Sequence, residues 1–161
     1  MSRPGSDHVH RPIALARTAA ALAIAALVIA ACGGGAGATG QPDIQVEQAR
    51  APQPASSVAE AFFTVRNVGT GSDTLLEVST QVAAQAQVER VTRRGTRITM
   101  QPAGPLSIPA HGAVSLTPGG SHVMLLGLNT GLAAGNEFTL TLWFRRSPSM
   151  TIFVPVVAAP T

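Results

Sequence analysis

His122-Val123-Met124 is the triplet of this 161-residue chain whose residue types can do chemistry together. In an extended strand positions i and i+2 share a face, so imidazole and thioether can meet the same ion. A thioether is a soft donor. Beside an imidazole it suits Cu(I) far better than Zn²⁺, Ca²⁺ or Mg²⁺. Taken alone the triplet is weak evidence, because a strand methionine usually packs in a core. Other donors are sparse: past residue 31 the chain has only His111 and His122, with Met100, Met124 and Met150. His111 precedes a glycine in segment 109–112 and reads as a solvated turn residue. Met150 reads as a strand residue in the core.

Several other chemistries fall away. The one cysteine, Cys32, cannot build an intramolecular disulfide framework, a Cys-based zinc site or an iron–sulfur centre. Gly-x-Ser-x-Gly does not occur, and Gly119-Gly120-Ser121 lacks the Lys and following helix of a phosphate cradle. The acids past residue 31 form no convincing pair for acid–base work. A sequence pI near 11.0 suggests nucleic acid until the charges are located. All 11 basic residues are Arg, three of them before residue 20, and beyond residue 31 only 8 Arg face 7 acids. With one Trp, no Tyr and no basic run longer than Arg93-Arg94, a nucleic-acid surface has little support. Arg90, Arg93, Arg94 and Arg97 form a local basic patch, read as a solvated hairpin or a docking surface for an acidic partner or anionic headgroups.

The first residues read as an address. Arg3, Arg11 and Arg17 precede an uncharged run of Ala, Leu, Ile and Val over 19–31. That is the n-region and h-region of a secretory signal, too short for a membrane span of about 20 residues. Ile29-Ala30-Ala31-Cys32 then resembles the lipobox of bacterial lipoproteins, with the only Cys at the position that is lipidated. The expected organisation is a signal peptide over 1–31, a lipidated Cys32 with a flexible Gly-rich tether over 32–42, and one domain over 43–161. The protein is expected outside the cytoplasm, held on the outer face of the cell membrane by acyl chains.

The elements that position the donors read as strands. Period-two alternation recurs over 44–46, 61–66, 74–78, 86–91, 97–100, 113–116, 122–126, 137–144 and 151–156, between turns rich in Gly, Pro and Asn. The clearest run puts Phe138, Leu140, Leu142 and Phe144 on one face. Only 57–61 and 130–134 leave room for a helical turn. About nine short strands predict an all-β, antiparallel sandwich.

Segment 107–128, with Pro109-Ala110-His111-Gly112, Pro118-Gly119-Gly120-Ser121 and His122-Val123-Met124, resembles the signature region of the PCu(A)C family of extracytoplasmic copper(I) chaperones. Asn67 and Asp73 also stand where that family has them, and the resemblance runs over about 45–157. It implies a cupredoxin-like Greek-key β-sandwich that carries copper, not an enzyme. The family holds Cu(I) with a His, a Met after ten residues, and a His-x-Met pair after twenty-one more. Here Met100 is followed by twenty-one residues and then His122 and Met124, while counting back ten residues reaches Glu89. The implied ligands are Met100, His122 and Met124, with Glu89 at the missing imidazole's place. A carboxylate is a poor ligand for Cu(I) and a better one for Cu(II). Binding weaker than in full-motif relatives, altered binding and a vestigial site all stay open. The resemblance further implies a membrane-tethered metallochaperone that passes Cu(I) to an acceptor such as cytochrome oxidase. The alternative is an interaction or envelope-structural lipoprotein that has lost or weakened metal binding. A carbohydrate- or peptide-binding sandwich would have only Trp143 as a platform.

Overall fold

The computed structural model describes residues 40–159. They fall within one compact unit, Gly34–Thr161, whose core is drawn from its strands together with Leu132 of a connecting segment. The expected signal peptide and Cys32 lie outside the described residues, as does the tether up to residue 39.

Ten strands run in chain order: β1 Ile44–Pro52, β2 Val58–Asn67, β3 Asp73–Ser79, β4 Ala83–Arg94, β5 Arg97–Pro102, β6 Leu106–Ile108, β7 Ala113–Leu116, β8 His122–Leu128, β9 Glu137–Phe144 and β10 Met150–Val157. Their lateral order is β5-β4-β8-β2-β1-β10-β9-β3-β6, with β7 also on β2. β1 joins two layers. Its first half pairs antiparallel with β2, then the register shifts between Glu47 and Arg50, and Ala51 and Pro52 pair parallel with β10. Gln48 has φ 57 at that shift, a left-handed conformation that bends the strand from one layer to the other. Every other ladder is antiparallel.

Alternation explains why the layers face each other. Ala59, Ala61, Phe63 and Val65 of β2, with Val123 and Leu125 of β8, are buried against Phe138, Leu140, Leu142 and Phe144 of β9 and Val154 and Val156 of β10. The all-β sandwich is therefore as expected, with ten strands and one parallel pair. The additional strand is β6, three residues between Pro105 and Pro109, too short to show a period. Met150 packs against the core, opposite Leu142.

Two expectations fail. Segment 57–61 forms no helical turn: Val58 to Ala61 pair with Leu126 to Val123, and the β8 ladder overrides the local preference of an Ala-rich stretch. Segment 130–134 is likewise not helical; its only turn is at Ala134-Gly135.

The connections are held by two buried polar residues. Asn67, fully buried, donates from Nδ2 to the carbonyls of Gly71 and Pro109 and accepts on Oδ1 from Asp43 and Gly69. Asp73 Oδ1 accepts the backbone N–H groups of Thr74 and Arg146, and Oδ2 that of Ser147. Burial by itself raises the Asp73 carboxyl. The Ser147 hydroxyl beside it and these backbone donors outweigh that and hold it below its ordinary value, although the hydroxyl closes no hydrogen bond of good geometry.

Candidate metal centre

β7 and β8 are one strand interrupted. Leu116 pairs with Phe63 and Val123 with Ala61, so only Phe62 of β2 lies between them while the other chain travels through 117–122. The excursion is closed by Thr117 N–H to the Ser121 carbonyl at 2.8 Å and Gly120 N–H to the Thr117 carbonyl at 3.0 Å. Gly119 turns it at φ 72, where a side chain would be strained. β8 therefore begins at His122, directly beneath the loop.

That placement fixes the imidazole. His122 is 2% exposed, its ring meeting Phe62 edge-on at 6.2 Å between centroids. Its Nδ1 lies 3.1 Å from the Gly120 carbonyl oxygen. A carbonyl only accepts, so the proton belongs on Nδ1 and the Nε2 lone pair is left for a ligand. Nε2 is buried and has no hydrogen-bond partner. An orphaned buried nitrogen is costly unless something occupies it, and that is the observation by which a metal ion fits here.

The ladders place the other candidates. Residues directly opposite in an antiparallel pair share a face, with Cβ atoms about 4.5–5.5 Å apart. Glu89 of β4 stands opposite His122, and Gln87 opposite Met124. The Gln87 amide donates to Glu89 Oε1 at 2.9 Å. On the other side Glu60 of β2 stands opposite Met124, and its Oε1 is 4.0 Å from His122 Nε2, too long for a hydrogen bond. His122, Met124, Glu89 and Glu60 thus form one patch. Met100 is on the same face but further out, opposite Val91 on the edge strand β5, and is 52% exposed. β4 and one ladder step separate it from His122, roughly 12 Å between Cα atoms from ideal sheet spacings.

His111 is elsewhere. It is exposed, with φ 54, and its N–H reaches the Gly69 carbonyl past the end of β2. That is about 16 Å along the strand from the level of His122.

Glu60 and Phe62 are the site residues that sequence reading did not single out. Alternation does put them together on one face of β2, but only the pairing of β2 with β8 sets that face beside His122. The basic hairpin is also resolved by register. Gly95 and Thr96 make a two-residue loop with positive φ at Gly95 alone, the type II′ pattern. Arg93 shares the face of Met100, whereas Arg94 and Arg97 line the reverse face with Thr92, Thr99 and Gln101. Among the described residues no three His, Cys, Asp or Glu side chains cluster to hold an ion.

The comparisons agree with this architecture. The LpqE-like lipoprotein family model matches residues 43–156. A protein of Leifsonia xyli subsp. xyli that bears a lipoprotein name is 33% identical over 114 residues, covering 70% of this chain and 69% of that protein. The solution structure of CuI-DR1885 from Deinococcus radiodurans superposes with a TM-score of 0.59 at 27% identity, over 76% of this chain and 83% of that one. The copper-bound PCuAC domain from PmoF2 superposes at 0.60 with 24% identity, over 73% and 93%. On these grounds the chain belongs to the LpqE-like lipoprotein family, built on the fold of PCuAC copper domains.

Proposed function

We propose that this protein is a copper-binding carrier that works outside the cytoplasm, anchored to the membrane through Cys32, with His122, Met124 and Met100 as its Cu(I) ligands. The observation that carries this reading is the imidazole of His122, locked by Gly120 with Nε2 buried, unpartnered and beside a thioether on the same strand face. The Cu(I)-loaded relative from Deinococcus radiodurans supports the choice of ion. Cu(I) is the cargo. A Met₂His set is soft enough to hold it and, saturated by such donors, leaves no open position for a substrate, so the role is carriage and not catalysis.

The residues divide the work. The Gly120 carbonyl keeps His122 in one tautomer, Phe62 and the 117–121 loop exclude water from it, and Met124 supplies the first thioether. Met100, on an exposed edge hairpin, supplies the second and is the ligand an acceptor can displace first. The acceptor is a protein copper site of the same compartment, cytochrome oxidase being the one the resemblance implies.

The test is a Cu(I) titration of the Gly34–Thr161 unit against a chromophoric chelator. Stoichiometric binding that is lost in His122→Ala or Met124→Ala supports the carrier. Failure to compete with micromolar chelator overturns it and leaves the non-metal lipoprotein reading.

A further inference from the structure

The sequence offers Glu89 as the stand-in for the missing imidazole, but the folded chain brings a different carboxylate to the orphaned nitrogen. Glu89 faces His122 across the β4–β8 ladder with one oxygen already engaged by the Gln87 amide. Glu60 approaches from β2, and Oε1 stands 4.0 Å from His122 Nε2. Its side chain is 42% exposed, and among the described residues its carboxylate accepts no hydrogen bond.

That separation is one an ion can bridge. With metal–nitrogen and metal–oxygen bonds of about 2.0–2.2 Å, two donor atoms lie roughly 2.8–4.4 Å apart as the angle at the metal opens from a right angle to a straight line. Met124, directly opposite Glu60, adds a thioether from the adjoining strand. The donor set differs from that of the Cu(I) reading. Imidazole and carboxylate are the harder donors that suit Cu(II), and they need no approach of Met100.

We infer that Glu60 is a metal ligand of this site, which with His122 and Met124 holds Cu(II), so that the centre accepts copper in either oxidation state through overlapping donor sets. Glu60 sets the preference for the divalent ion, while Met100 serves the monovalent one. This rests on the site assigned under the proposed function, and its test separates the two.

The Gly34–Thr161 unit carries its own core, so it is titrated as wild type and as Glu60→Gln, Glu89→Gln and His122→Gln. Cu(II) salt alone is followed by electron paramagnetic resonance, and Cu(I) by chelator competition. Thermal unfolding checks that each variant is folded. Glu60→Gln is expected to lose about tenfold or more in Cu(II) affinity, with a shifted parallel hyperfine splitting. Its Cu(I) affinity and that of Glu89→Gln for both ions stay near wild type. Unchanged Cu(II) affinity and spectrum in Glu60→Gln, or a loss confined to Glu89→Gln, overturns the assignment of Glu60 while the Cu(I) site stands. If His122→Gln binds both ions as wild type does, the site itself is wrong.

Discussion

The two sides of the candidate centre are built differently. On the β8 side, His122 and Met124 ride a strand whose alternate residues, Val123 and Leu125, are fully buried in the core. The imidazole is held further by Gly120 and Phe62. On the β5 side, Met100 belongs to an edge hairpin whose six β5 residues are all exposed, Ile98 and Met100 at 52% each. One donor set is preorganised by packing; the other stands in solvent. A carrier needs both, because a rigid half selects the ion and an accessible half lets another protein take it by ligand exchange.

The difference can be broken from the packed side first. Leu125→Ala empties a fully buried position beneath the site, costing about 2–5 kcal/mol in denaturant unfolding. It should also lower Cu(I) affinity, because β8 no longer seats His122. His122→Ala removes a buried ring that lies outside the apolar core cluster, and it should reduce Cu(I) affinity on the order of 100-fold or more, beyond what loss of a supporting group costs. Chelator competition reads both.

Acid probes the same packed body at its far end. The Asp73 carboxyl is held below its ordinary value of 3.8, so its contribution to stability is fully present above that pH and is lost as pH falls through the lower folded value. Asp73→Asn should destabilise by about 1–3 kcal/mol at neutral pH, by leaving backbone donors badly matched. It should also flatten the fall in melting temperature below pH 4 in thermal scans. A variant with the wild-type acid response would show that another carboxylate carries it.

The hairpin side should respond more mildly. Met100→Leu is expected to cost about tenfold in Cu(I) affinity with no measurable loss of stability, and an equal loss from Met100→Leu and His122→Ala would erase the distinction between the halves. Glu89→His, across the ladder from His122, should tighten Cu(I) binding by about tenfold. Ile98→Thr should change unfolding by no more than about 0.5 kcal/mol, being an exposed position on the edge strand.

Much of this fold was legible because strand period is a local property. Phe138, Leu140, Leu142 and Phe144 alternate in sequence and are all buried in the core. β6 was not legible, since three residues between two prolines carry no period, and its pairing with β3 is supplied by distant chain. The Ala-rich start of β2 misled for the same reason: only the β8 ladder makes it a strand.

By itself the sequence determined the donor types, the His-x-Met face and the spacing from Met100, because these depend on residue identity and a two-residue period. Tertiary structure decided what surrounds the imidazole. The chain excursion at 117–121 aims Gly120 at Nδ1, β2 brings Glu60 and Phe62 from some sixty residues away, and the edge position of β5 leaves Met100 in solvent. Strand order and register are set by burial across the whole sandwich, so no local pattern could assign which acid faces Nε2.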